Sequence, residues 1–291
     1  IEEHRLLYAR KTPRKMTINW LKSVPDSQVP NLIAKRTLAS VKRSSGGPLR
    51  VWVNLINGRP DQTKSYNLGI DISKGMGASN SVISIACNET REKIAEWAHA
   101  GTPPYEFARI ATAIGVWVGG KNKLPLIIWE NNGHPGWDFG RQLVKIYQYP
   151  NIWYDRAVGT IAEKISKKYG WHSSQTKKPV VLGMLRRAYA HGGYINHSTE
   201  ALDEALTYIE YEGGGIGPAE YVEESDAARK CHGDRVIADM LNVVGFGDTP
   251  RGKSKMPAAP HRSFGHRMAA WKRGKRKQTK MTRFDHSGVN I

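Results

Sequence analysis

Three carboxylates stand where a carboxylate is costly. Asp71 lies within YNLGIDIS (66–73), two residues after Gly69; Glu130 closes the apolar run LPLIIWE (124–130); Asp234 opens HGDRVIA (232–238). An ionised carboxylate in apolar surroundings has to be paired, hydrogen-bonded or bound to a cation. Three of them drawn together make a hard oxygen site that suits Mg2+ or Mn2+. Two such ions could hold a phosphodiester between them, activate a water and stabilise the leaving oxygen. Each acid also has a plainer role open to it: strand-end turn former for Asp71, surface ion pair for Glu130, helix N-cap for Asp234.

The elements that must position these acids are legible as patterns. Residues 66–73 and 81–88 read as strands joined by the glycine-rich turn GMGASN (75–80), and 93–100 reads as a third strand, an antiparallel meander. Pro104 suits the first turn of a helix whose apolar positions Phe107, Ile110, Ala111, Ile114 and Trp117 recur at helical spacing. Residues 124–130 read as a strand buried on both faces, 131–136 as a sharp loop, 137–147 as a helix and 151–154 as a short strand. Helices are expected over 178–190, 200–209 and 234–243, and an extra strand over 219–224. In the first fifty residues short helices are expected around Met16–Ser23 and Leu32–Val41. The order βββ-α-β-α-β predicts a mixed sheet carrying helices. If the strands ending in Asp71 and Glu130 are neighbours, both acids lie near one end of that sheet, and Asp234 can face the same point.

Composition narrows the class. The chain has 291 residues, is 40% hydrophobic and contains nine Trp, enough for a sizeable core. Cys87 and Cys231 are its only cysteines, which excludes a disulfide scaffold and suits a reducing compartment. No apolar run is long enough to span a bilayer, and the N-terminus has no signal-peptide pattern. The first residue is Ile1 rather than Met, as expected of a processed chain or a piece of a longer one. The net charge of +18 is concentrated at the ends: residues 1–50 hold 11 Lys and Arg against 3 Asp and Glu, and residues 249–291 hold 12 against 1. Basic flanks on a neutral middle suit a polyanion, because each phosphate contact by Lys or Arg releases counterions.

The residues also carry a resemblance. GID in a first strand, WENNGHPG (129–136) after a middle strand, YGWHS (169–173) followed by TKKP (176–179), and HGDRVIA near the end together resemble the nuclease domain of large terminase subunits, the DNA-packaging motor proteins of tailed bacteriophages. The resemblance covers roughly residues 60–245 and implies a ribonuclease H-like α/β fold with a mixed sheet flanked by helices. It divides the chain into a basic lead-in or linker (1–59), the nuclease domain (60–247) and a basic flexible tail (248–291). It further implies a divalent-metal-dependent endonuclease that cuts concatemeric viral double-stranded DNA in the host cell cytoplasm, with Asp71, Glu130 and Asp234 as catalytic ligands of Mg2+ or Mn2+, two ions in all. Its implied partners are double-stranded DNA, the phage portal or procapsid and the small terminase subunit. No membrane is implied, and an ATPase domain, absent before residue 60, is expected upstream.

The sequence departs from the family pattern at two places. Where many members carry a further acid after the first strand, this chain offers Asn80; where many carry paired Asp residues at the last motif, it has Gly233 before Asp234. Asn80 and His232 are therefore candidates for supporting positions around the ligands, with a turn cap open to His232 as well. His134 reads as a surface insertion, and Trp137, Trp153 and Trp171 as packing residues. Lys177 and Lys178, which the resemblance sets near the DNA path, and Lys253, Lys272, Arg273, Lys275, Arg276 and Lys277 in the tail are the DNA-binding candidates; Arg186 and Arg187 are weaker ones. Two other readings remain: another ribonuclease H-like nuclease of the resolvase or transposase type, and a catalytically weak DNA-binding or capsid-docking module.

Gly247 to Ser254 fits the phosphate-loop pattern, but a working loop follows a buried strand and opens a helix. Pro257 and Pro260 deny that helix, so no nucleotide site is expected. Lys253→Ala should leave ATP binding by calorimetry as absent as in the wild type. Deleting residues 251–283, with twelve bases and no acid, should weaken duplex binding and flatten the dependence of log affinity on log salt; an unchanged slope would assign the tail to a protein partner.

Overall fold

The computed structural model describes residues 1–19, 24–36, 40–119, 123–156, 165–212, 216–219 and 233–248. At its centre a seven-stranded sheet runs β2-β1-β3-β6-β5-β4-β7. Its strands are β1 (Arg14–Asn19), β2 (Ser40–Arg43), β3 (Leu49–Val51), β4 (Tyr66–Asp71), β5 (Ser81–Cys87), β6 (Lys93–His99) and β7 (Leu126–Trp129). Strands β4, β5 and β6 form the expected antiparallel meander, with Gly69 opposite Ser84 and Ile83 opposite Trp97. β7 adds to the free edge of β4 in parallel, Gly69 opposite Ile128. The meander with a fourth strand added in parallel beside the first gives the mixed sheet carrying helices that the pattern of elements predicted.

Alternation sorts the side chains between two layers. Leu68, Ile70, Ile83, Ile85, Ile127 and Trp129 point to one face, where they pack with Phe107, Ala111 and Ile114 of α3 (Pro104–Val118) and Phe139 of α4 (Gly133–Arg141). Trp97 meets Phe107 at 5.2 Å between ring centroids, and Trp129 meets Phe139 at 5.7 Å. The opposite face carries Ala86 and Ile128 and is covered by α7 (Asp234–Asp248), behind which stand α5 (Lys177–Ala190) and α6 (Thr199–Leu206). Gly69 is what lets α7 lie so close: a Cβ there would fall 2.0 Å from the Ala238 carbonyl oxygen.

Several elements differ from the sequence expectation. The residues around Met16–Ser23 and Leu32–Val41, expected as helices, give strand β1, the short helix α2 (Val29–Ala34) and strand β2. The lead-in thus supplies three strands of the central sheet, because β3 pairs with β6 (Leu49 opposite Trp97) and β1 pairs with both β3 and β2. α1 (Glu2–Tyr8) adds a further helix, tied to α6 by the Arg5–Asp203 ion pair. Helix α4 starts four residues early, at Gly133, and continues as a π-turn over Gln142–Ile146. At 151–154 only Ile152 bridges to the sheet edge, while β8 (Tyr154–Arg156) pairs with β9 (Ile165–Tyr169). Helix α6 stops at Leu206, and β10 (Tyr208–Glu210) pairs with β11 (Ile216–Pro218). The strand expected over 219–224 lies, apart from Ala219, outside the described residues.

Strand β6 shows why local pattern was insufficient. Alternating polar residues ordinarily mark a wet face, yet Lys93 and Glu96 are fully buried under α7. Lys93 Nζ lies 2.6 Å from Glu96 Oε2 and 2.9 Å from Asp239 Oδ1, and Arg235 Nε donates to Glu96 Oε1 at 3.0 Å. Asp239 also accepts from the hydroxyls of Tyr189 and Tyr194 and from the Asn196 amide. Burial alone would raise the Glu96 carboxyl, but Lys93 and then Arg235 hold it down at about 2; the two carboxylates in turn hold Lys93 above its usual value against the cost of burial.

Removing one member leaves its partners buried and uncompensated. Lys93→Met should therefore cost about 3–5 kcal/mol of unfolding free energy in chemical denaturation. Because the folded Glu96 carboxyl titrates below its unfolded value, its stabilising contribution is complete above about pH 4.5 and should disappear as pH falls toward about 2. A variant as stable as the wild type would show that packing alone holds α7.

Candidate functional site

Asp71 and Glu130 come together because β4 and β7 are parallel neighbours in register. Ile70 stands opposite Trp129, so the next pair is Asp71 and Glu130, at the carboxyl ends of both strands and on the face covered by α7. Open α/β sheets place ligands at such strand ends. Glu130 is fixed from two sides: its own N–H donates to the Ile70 carbonyl, and it bridges in parallel to Trp171. The next residue, Asn131, donates its N–H to the Trp171 carbonyl at 2.8 Å. Asn132 prolongs this edge through its side chain, whose Nδ2 donates to the Ser173 carbonyl and whose Oδ1 accepts from the Ser173 N–H. YGWHS, one of the motifs that carried the resemblance, is thus the segment that backs Glu130.

Asp234 stands at the first residue of α7, over the same face, and is buried. Its carboxylate is held by the turn before β5: Ser79 Oγ donates to Oδ1 and the Asn80 N–H donates to Oδ2, both at 2.7 Å. Asn80 thus reaches Asp234 through its main chain, and Ser79, which the sequence did not single out, is the side chain that does so. Behind Asp234 its neighbour Arg235 is locked: Arg235 Nη1 lies 2.5 Å from Glu204 Oε1, and its N–H donates to Glu204 Oε2 at 2.8 Å. Gly233 explains the missing second acid. Its φ is +70°, a region that disfavours side chains, and a Cβ there would fall 2.4 Å from the Tyr208 hydroxyl, which donates to the Gly233 carbonyl.

Asp71 feels the other two carboxylates. Burial pushes the Asp71 carboxyl well above the ordinary range, the charges of Glu130 and Asp234 push it further, and Lys178 and the Ile72 N–H oppose them. Lys178, in the first turn of α5, is thus near enough for its charge to act on Asp71. Its neighbour Lys177 is turned away, with Nζ 3.2 Å from Asp155 Oδ1. The oxygens present are hard donors of the kind Mg2+ and Mn2+ take. Among the described residues no three His, Cys, Asp or Glu side chains are close enough to form a finished metal cage.

The remaining candidates separate clearly. Trp153 and Trp171 are buried, as packing residues should be, but Trp137 is 59% exposed, about 200° around α4 from the buried Phe139. His134 is exposed and lies 3.3 Å from Asp138, one helical turn on. His232, Lys253, Lys272, Arg273, Lys275, Arg276 and Lys277 lie outside the described residues. Gly247 and Asp248, which begin the phosphate-loop pattern, end helix α7 rather than following a strand.

No protein-family model matches this sequence, and no curated protein does. Among solved structures, the chain is similar to the large terminase nuclease from thermophilic phage G20c at 17% identity, covering 75% of this chain and 98% of that one with a TM-score of 0.48. The same nuclease with bound magnesium matches at 16% identity, 74% and 96% coverage and a TM-score of 0.49. The large terminase nuclease domain of Thermus phage P74-26 matches at 16%, covering 74% and 93% with a TM-score of 0.46.

Proposed function

We propose that the chain is a divalent-metal-dependent endodeoxyribonuclease acting on double-stranded DNA, with Asp71, Glu130 and Asp234 as its metal-holding carboxylates. The observation that carries this reading is the in-register pairing of β4 and β7, which sets two acids side by side at the strand ends beneath a third at the start of α7. Bound Mg2+ or Mn2+ would supply Lewis-acid activation of water and stabilise charge on the phosphodiester.

The chain's own groups prepare the site. The two strands fix the first pair of carboxylates, Ser79 and the Asn80 N–H orient the third, and Lys178 sets a positive charge beside them, where a backbone phosphate would be drawn. The order of the motifs supports the more specific reading, a nuclease that cuts concatemeric viral DNA during genome packaging in the host cytoplasm, working with a portal, a small terminase subunit and an upstream ATPase. No helix among the described residues is long and apolar enough to cross a membrane. The lack of a finished cage and the Gly233 departure favour a second reading, a DNA-binding module with weak catalysis.

One experiment separates them. Supercoiled plasmid should be cut with Mg2+ or Mn2+ and spared with EDTA, and Asp71→Asn should lower the rate by at least ~100-fold. Intact plasmid with every metal would favour the binding module. The same variant tests the electrostatics. A carboxyl whose folded pKa is raised costs stability once pH exceeds its unfolded value of about 4 and costs nothing below it. Asp71→Asn should therefore melt at or above the wild-type temperature at pH 7, with the difference vanishing toward pH 4. Unfolding of Asp71→Asn at pH 7 would make Asp71 a structural residue instead.

A further inference from the structure

Helix α4 carries an outward stripe that packing does not explain. His134, Trp137, Arg141 and Lys145 recur at intervals of three and four residues, so they share one side of α4 and of the π-turn that continues it. All four are exposed, while the opposite side buries Gly136, Phe139, Gly140 and Leu143 against the sheet. Among the described residues neither Arg141 nor Lys145 has an acidic partner, whereas Arg109 close by is engaged with Asp26. Asp138, on the same helix, lies 3.3 Å from His134. The stripe also begins at the site: a Cβ on Gly136 would fall 2.7 Å from the Glu130 carbonyl oxygen, so the first turn of α4 rests on the main chain of a proposed metal ligand.

We infer that the His134–Trp137–Arg141–Lys145 face of α4 is a docking rail for the sugar-phosphate backbone of double-stranded DNA, leading duplex to the carboxylate site. This rests on the nuclease reading for its geometry but on the stripe's own chemistry for its partner. Unpaired cations on one face of an element are the footprint of a polyanion. At 1.5 Å per residue the eleven steps from His134 to Lys145 span about 16 Å, which exceeds the width of the major groove of B-DNA, about 12 Å, so a helix face of this length can bridge phosphates across it. The indole supplies flat apolar surface that can lie against sugars and base edges beside the two cations. A protein partner would call for a broader apolar patch than the single Trp137.

The test measures binding of the full chain to a fluorescent 30-base-pair duplex, with Asp71→Asn as background and EDTA present, so that cleavage plays no part. Arg141→Gln combined with Lys145→Gln should weaken binding at low salt and flatten the slope of log affinity against log salt by about 2, near 0.9 per lost phosphate contact. Trp137→Ala should weaken binding without changing the slope, because it removes apolar contact and no charge, and Trp137→Phe should restore part of it. Circular dichroism and melting identical to the background should accompany each exposed-site change. Unchanged affinity and slope in the double variant, with wild-type plasmid cleavage intact, would overturn the rail and leave the nuclease standing. A wild type that cuts nothing, with the slope still flattened in the double variant, would overturn the nuclease and leave the rail.

Discussion

The ion network between β6 and α7 is the constraint on which the rest of the molecule depends. Lys93 and Glu96 are fully buried on a central strand, and Asp239 meets them from the helix above. Taking these charges from water is repaid only by close pairing, so the helix can sit in one register over the sheet. A shift of α7 by one turn would part Asp239 from Lys93 and leave Lys93 without half of its counter-charge. Gly69 completes the constraint sterically, since the Ala238 carbonyl occupies the place a side chain would take.

The site inherits its geometry from that register. Arg235 spans the network and the start of the helix, pairing with Glu96 on the strand and with Glu204 on α6. Asp234, one residue earlier, is carried to its place by the same helix turn and is held there by Ser79 and Asn80. The acids that repel one another are thus pinned by attractive contacts made elsewhere. Asp71 is raised first by burial and then by the charges of Glu130 and Asp234 kept near it, and a bound cation would relieve both.

Two helices reach the site with different surfaces. α5 brings Lys178 toward the acids while Lys177 is engaged by Asp155. α4 starts on the Glu130 main chain and turns an aromatic and two cations outward, neither with an acidic partner among the described residues. The adjacent lysines, equivalent in the sequence, are sorted by the helix: consecutive residues point about 100° apart, so only one can face the sheet end.

The sequence by itself determined the meander, the buried β7 and the three acids, because each has a local signature: alternation, an unbroken apolar run, a carboxylate where none belongs. It also determined the order of elements from the meander onward, and with it a mixed sheet carrying helices. It misread residues 14–43 because strands β1 and β2 are specified by pairing with β3 and, through it, with β6, partners distant in the chain. It read Trp137 as a packing residue because Trp is usually buried, yet on α4 it stands two residues, about 200° around the helix, from the buried Phe139 and so faces solvent. The pairing of Lys93 with Asp239, the role of Ser79 and the exclusion of a side chain at Gly233 were decided by tertiary structure alone. Each depends on a distance between elements set by packing, which no local pattern of residues encodes.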